Sequence, residues 1–359
     1  MTIIIEFLNS KEFTYSKLLE VIEMSSNSPL SLKKLEAGAE KLTNFYKSMG
    51  FLEMQIQNNN KELVSYNSNS TEAYIKFNIY EGPKITIKKI VYEGNTFTKD
   101  KVITNEISFQ KGQTLTPDLM EENLSRLNAL GIFSSVEITT LERNTTIADR
   151  TLIISVSERD PGLLTFGVGA NSERGLTVRG FSGISYNNLW GTARGVSLRV
   201  ELANHIKELN YLTHKVTLGY LEPFLLDSRN RGRINLTRLR TLFKINDDGS
   251  ARVQDSNRLD LLLERDLTSD LKLTWTVYSL DSRDFFDIKT PDGTNNKTTK
   301  QIVLIGPTLD YDTRDNPFLP TEGIYARWSF DALFIVLAAA GAGILIAVMM
   351  LPRQLASKA

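Results

Sequence analysis

Cysteine is absent from the 359 residues. That excludes disulfides and thiolate-based metal sites, and it suits an oxidising compartment without requiring one. Histidine is nearly absent. His205 and His214 flank an expected loop, and neither has a second histidine or paired carboxylates at metal-binding spacing, so no metal site is expected. Charge of either sign is not in excess. With 42 basic and 42 acidic residues, net charge points to neither nucleic acid nor acidic lipid as a partner. No nucleophile elbow and no phosphate-binding glycine loop occurs, so neither an enzyme nor a cofactor is expected. The N-terminus Met1-Thr2-Ile3-Ile4-Ile5-Glu6 lacks a basic region and a sufficient apolar run for a signal peptide. Export would require a start upstream of it.

What is present begins with a repeat. Residues 1–82 and 83–160 read as two copies of one α/β unit at a period of roughly 80 residues. Each opens with an alternating strand, at 2–8 and 85–92. The turns that follow, Asn9 to Thr14 in one and Gly94 to Thr98 in the other, each offer a threonine to N-cap a short helix. A second helix is capped by Ser31 or by Thr116, where Pro117 takes the first helical position. Leu35, Ala39, Leu42, Tyr46 and Met49 share one helical face, as do Met120, Leu124, Leu127 and Leu130 in the second copy. Gly50 and Gly131 stop the helices. Two strand-like runs close each copy, at 51–57 with 73–80 and at 133–141 with 150–157. This β-α-α-β-β order, with Leu130-Gly131-Ile132-Phe133 before the fourth element, resembles the POTRA domain. The plainer reading is a generic ferredoxin-like α/β pair without a transport role.

After the Asp160-Pro161 hinge, helical periodicity gives way to alternating segments of about 8 to 12 residues, the pattern of outer-membrane β-barrels. In the segment from Val196 to Leu202, valine and leucine alternate with Ser197, Arg199 and Glu201. Leu164, Phe166, Val168 and Ala170 alternate likewise with Thr165, Gly167 and Gly169. About nine such strands are expected over residues 161–330, with Tyr186, Trp190, Tyr220, Phe224, Trp275 and Trp328 near strand ends as girdle aromatics. A secreted β-sandwich is the soluble alternative.

Two segments then narrow the comparison. Tyr186-Asn187-Asn188-Leu189-Trp190-Gly191-Thr192-Ala193-Arg194-Gly195 resembles the turn between strands 2 and 3 of the BamA/TamA superfamily barrel. Asp312, Arg314, Asp315, Asn316, Pro317, Pro320 and Gly323 resemble its eighth strand end and turn. The same residues could equally form lumen ion pairs and turn hydrogen bonds. Val178-Arg179-Gly180-Phe181 spells the superfamily's loop motif, but at the first hairpin, and reads as coincidence. The fold class is therefore expected to be α+β POTRA repeats followed by antiparallel transmembrane β-barrel strands.

The resemblance implies sixteen barrel strands, roughly half of them here, in a bacterial outer membrane with the repeats in the periplasm. It implies assembly or insertion of unfolded outer-membrane proteins. The exposed edge strand of the POTRA domain, carrying Phe133, Val136, Ile138 and Leu141, would capture client strands by β-augmentation. The first barrel strand, with Leu164, Phe166, Gly167, Val168 and Gly169, would be the opening seam, its glycines weakening strand packing. The lipid bilayer is the other partner, and a periplasmic or inner-membrane protein a third. Three alternatives stay open: a two-partner secretion transporter exporting a β-helical adhesin, for which an N-terminal plug helix would speak; a structural or adhesive outer-membrane protein; and a non-functional truncated product. Residues 331–359 drive the last. From Ala332 to Leu351 the chain carries no charge over about 20 residues, enough to span a bilayer as a helix, and Pro352, Arg353 and Lys358 form a basic flank. An apolar helix after Phe330 is expected, either from a shifted reading frame or as an inner-membrane anchor.

Overall fold

The computed structural model describes residues 2–26, 29–58, 63–69, 71–171, 176–205, 212–245, 251–288, 297–317, 319–339 and 342–358. Its contacts divide it into two units, Met1–Thr96 with Glu106–Glu158, and Phe97–Asn105 with Arg159–Ala359.

The first unit holds the two repeats apart from residues 97–105 of the second. The first copy runs β1 (Thr2–Leu8), α1 (Tyr15–Ile22), α2 (Leu32–Ser48), β2 (Gln55–Ile56), β3 (Val64–Tyr66) and β4 (Glu72–Tyr80). The second runs β5 (Thr86–Glu93), α3 (Asp100–Glu106), α4 (Pro117–Ala129), β6 (Phe133–Thr140) and β7 (Asp149–Glu158). In each copy the last strand takes the centre of the sheet. The first strand lies parallel on one side, and the middle strand antiparallel on the other. A parallel pair cannot be closed by a tight turn, and the two helices supply the crossover. The central strands alternate strictly. Ala73, Ile75, Phe77 and Ile79 are buried on β4, and Arg150, Leu152, Ile154 and Val156 on β7. Leu18, Ile22, Leu35, Leu42 and Tyr46 complete the first core, each such side chain contributing about 1.5–3 kcal/mol by leaving water.

The expected caps divide. Ser31 accepts from the Lys34 N–H and Thr116 from the Leu119 N–H. Gly50 and Gly131 adopt φ of +98° and +70°. Thr14 stands at the N-cap of α1 but makes no side-chain cap bond, and the hydroxyl of Thr98 accepts from the Asn188 amide. Met49 falls just beyond α2 and is exposed. On α4 the fully buried positions are Leu127 and Asn123. The Asn123 carboxamide is satisfied by Ser108 and the Leu119 carbonyl, a partnership that helical periodicity does not reveal.

In the second unit ten strands follow one another as an antiparallel meander: β8 (Gly162–Asn171), β9 (Thr177–Leu189), β10 (Arg194–His205), β11 (Thr213–Glu222), β12 (Arg231–Ile245), β13 (Ala251–Asp266), β14 (Leu271–Ile288), β15 (Lys297–Asp312), β16 (Ile324–Ala339) and β17 (Ala342–Lys358). One continuous sheet replaces the two packed sheets of a sandwich. Register makes one face apolar, since Ile184, Leu198, Leu218, Leu236, Leu259 and Leu280 stand opposite one another in a row. The other face holds the charge. There Glu264 pairs with Arg233 at 3.1 Å and Lys272 at 3.0 Å, and Asp281 with Arg283 at 2.6 Å.

The tail differs from expectation. Strand β16 continues past Phe330 to Ala339, and Ala342–Lys358 pairs antiparallel with it as β17 in place of the expected apolar helix. The physical reason lies in the preceding strand: β16 presents a row of unpaired peptide groups, and strand addition satisfies them, overriding the helix preference of alanine, leucine and methionine. Among the described residues no helix is long and apolar enough to cross a membrane, which leaves crossing by strands untouched.

Candidate functional site

Two strand edges carry the arrangement. In the second repeat the sheet order β5-β7-β6 leaves β6 at one border. The opposite border is covered at its start, where the Ile85 carbonyl accepts from the Leu115 N–H and Ile87 exchanges backbone bonds with Gly112 and Gln113. Among the described residues β6 pairs with β7 alone. The Leu141 N–H bonds the Thr151 carbonyl at 3.0 Å, which fixes the phase of the antiparallel ladder. Residues 135, 137 and 139 therefore turn their peptide groups toward β7, and Val136, Ile138 and Thr140 turn theirs to the open border. The four expected edge residues separate on this basis. Val136 and Ile138 offer main-chain groups, the Phe133 and Ile138 side chains are buried in the domain, and Leu141 lies past the strand end with 65% exposure. Thr140 belongs to the edge and was not singled out by sequence. In the first repeat the corresponding border is broken into β2 and β3, both paired to β4.

Strand β8 is the second edge, pairing with β9 only among the described residues. The Asn187 N–H bonds the Pro161 carbonyl at 2.8 Å. By the same phase argument Leu164, Phe166, Val168 and Ala170 direct their peptide groups outward. Their side chains stand on the apolar face, with Phe166 81% and Val168 91% exposed. Gly167 does more than weaken packing. A Cβ there would lie 2.5 Å from the ring of Phe181, which occupies that space across the strand pair. The Arg199 guanidinium sits 4.1 Å from the same ring centroid. A ring laid over a glycine restores cross-strand contact that the glycine lacks. The Val178-Arg179-Gly180-Phe181 tetrapeptide thus lies in β9, and its phenylalanine has a packing role.

The two turns that carry the resemblance are built by side chains. Between β9 and β10, Asn188 is buried, donating to the Thr98 hydroxyl at 2.8 Å and accepting from the Ala193 N–H at 2.8 Å. The carbonyl of Gly191, a residue at φ +68°, accepts from the Lys99 N–H at 2.9 Å. Between β15 and β16, Arg314 forks onto both Asp312 oxygens at 2.8 Å, reaches the Pro317 carbonyl at 3.2 Å and lies over the Tyr325 ring. Asp315 accepts from the Thr321 hydroxyl and from the N–H groups of Thr321 and Glu322, which hold its carboxyl far below the usual carboxylate range. Asn316 accepts from the Leu319 N–H. Gly323 is required because a Cβ would lie 2.3 Å from the Thr313 carbonyl oxygen, at φ +99°. Pro320 lies in the same turn. These seven residues form a folded corner, and no group of three or more histidine, cysteine, aspartate or glutamate side chains suited to a metal occurs among the described residues.

Comparison with known proteins agrees with this layout. The surface antigen variable number repeat (POTRA) family matches residues 4–82 and 85–159, and the Omp85 superfamily domain matches residues 188–340. BamA from Haemophilus ducreyi lacking POTRA domains 1–3 superposes with a TM-score of 0.66 at 17% identity, over 92% of this chain and 63% of that one. CdiB from Acinetobacter baumannii gives 0.50 at 14% identity, over 92% and 61%. The chain therefore spans somewhat less than two thirds of either protein's length, and at these identities the likeness is one of fold. Two POTRA repeats followed by antiparallel transmembrane barrel strands make the chain a member of the Omp85 superfamily.

Proposed function

We propose that the protein assembles or translocates other proteins at the bacterial outer membrane, with its repeats in the periplasm and its barrel strands in the bilayer. The observation that carries this reading is the pair of strand borders that stay open among the described residues, β6 in the second repeat and β8 at the start of the sheet. An open border offers main-chain donors and acceptors that a client strand can complete with little demand on its sequence. Strand β6 captures an unfolded outer-membrane protein through the peptide groups of Val136, Ile138 and Thr140. Strand β8 then templates insertion through those of Leu164, Phe166 and Val168. The role is physical and calls for no catalysis or cofactor.

Photocrosslinkers at the exposed positions Ser135 and Glu137, and at Phe166 and Val168, test this in membranes supplied with an unfolded barrel protein. Adducts at both borders support the reading, and their absence from both sinks it. A second reading, export of a β-helical adhesin through the lumen, draws on the two-repeat layout ahead of the sheet. It predicts adducts at polar-face positions such as Arg199 and Asp281 and none at β8.

A further inference from the structure

We propose that the apolar face of the sheet binds one anionic phospholipid, with its phosphate on Arg238 and an acyl chain in the groove beneath. The groove is open, holds about 390 Å³, and is lined by Val216, Leu218, Leu236, Leu259 and Leu280 together with Arg238, Asn257 and Ser282. Register orders these residues in parallel rows. Leu218, Leu236, Leu259 and Leu280 form one; Val216, Arg238, Asn257 and Ser282 the next; His214, Arg240, Asp255 and Asp284 the third. Over three rows on one face the surface passes from aliphatic to charged, which is the profile of a membrane interface.

Arg238 differs from its neighbours in having no partner. In the third row Arg240 faces Asp255 at 3.6 Å, and Asp284 is held by Thr299 at 2.7 Å and Lys297 at 3.3 Å. Arg238 is exposed and, among the described residues, makes no hydrogen bond or ion pair. An unpaired guanidinium at the edge of an apolar groove, with the Asn257 carboxamide on the next strand and the Ser282 hydroxyl one strand further, complements a phosphate joined to a hydrocarbon chain. The nearby carboxylates are already neutralised, so the excess charge at this edge is positive and favours an anionic headgroup over a zwitterionic one. The overall balance of charge along the sequence conceals this local excess.

The proposal rests on the membrane reading of the sheet. Native mass spectrometry of the purified full chain in detergent, titrated with phosphatidylglycerol or phosphatidylcholine, tests it. One phosphatidylglycerol should be retained in preference to phosphatidylcholine. Arg238→Gln should weaken that retention roughly tenfold, as should Leu259→Trp, which fills the groove. Arg283→Gln, on the opposite face, should leave it unchanged. Equal retention of the two lipids, or undiminished retention by both Arg238→Gln and Leu259→Trp, overturns the site. Flotation with vesicles keeps the two readings apart: a chain that floats but retains no phosphatidylglycerol overturns the lipid site alone, and one that does not float overturns both.

Discussion

The guanidinium of Arg150, 1% exposed in the second repeat, donates to the carboxylate of Glu53 in the first at 2.7 Å. Its remaining donors go to the carbonyls of Ile147 and Thr145, and the Asn144 N–H adds to the same Glu53 oxygen. Two copies of one domain are thereby joined through a charge that neither could bury alone.

Removing one member of such a pair leaves the other buried without its counter-charge, at a cost of about 3–5 kcal/mol. Glu53→Ala in residues 1–158 is expected to cost close to the lower end, because Arg150 keeps its two carbonyl partners. Urea unfolding at neutral pH measures this. The bond from Arg150 also lowers the Glu53 pKa. A depressed carboxylate contributes stability that is present above its ordinary value of 4.5 and lost as pH falls through the folded value. Wild type should therefore lose this increment on acidification below about pH 4.5, and Glu53→Gln should lack it.

Tyr46 is fully buried, and burial, with lesser effects from Glu81, pushes its hydroxyl up to about 12. A raised pKa means that the folded state holds its proton more firmly, so stability should be constant below pH 10 and fall between pH 10 and 12. Tyr46→Phe gives up the bonds to Ser10 and Glu81, costing about 1 kcal/mol at neutral pH. In return its urea midpoint should lose less on alkaline titration than that of wild type. Parallel curves for the two proteins would contradict the assignment.

At the β8 border, Phe181→Ala uncovers Gly167 and removes the ring beneath Arg199. A loss of about 1 kcal/mol is expected from the cation–ring contact, read as a lower melting temperature in detergent. Gly167→Ala should destabilise as well, since its Cβ would meet the Phe181 ring at 2.5 Å. Combining it with Phe181→Ala should recover part of that loss, and simple additivity of the two would mean that ring and glycine do not share the site.

Asn188→Ala removes a buried carboxamide and strands the Ala193 N–H that it satisfies. The expected cost is about 1–3 kcal/mol. Hydrogen exchange of the Ala193 amide should accelerate, and protection equal to wild type would show that another acceptor takes over.

Features set by local chemistry were legible in the sequence. Ser31, Thr116, Pro117, Gly50 and Gly131 punctuate helices through bonds that span only a few residues, and strand alternation from β8 to β16 follows from two unlike faces. What escaped depends on partners far along the chain. Nothing near Asn123 or Arg150 in the sequence points to the partners Ser108 and Glu53 that lie far along the chain. The sequence shows Phe181 only as part of a motif, because its partner Gly167 lies across a hairpin. The tail failed differently: composition from Ala332 onward favours a helix, whereas the neighbouring strand decides its conformation. Of the four residues expected at the repeat's edge, two turn their peptide groups to the open border, which a reading of side chains cannot distinguish.

The phase of β8 has one more consequence. Its outward peptide groups recur at every second residue, and those residues, Leu164, Phe166 and Val168, also present their side chains to the apolar face. A strand added at this border inherits that parity: in one alignment its own oily positions join the hydrocarbon side, and a slip of one residue turns all of them inward. In the proposed function the border would thus act as a proofreading comb, indifferent to which amino acids arrive but exacting about whether odd or even positions are the greasy ones.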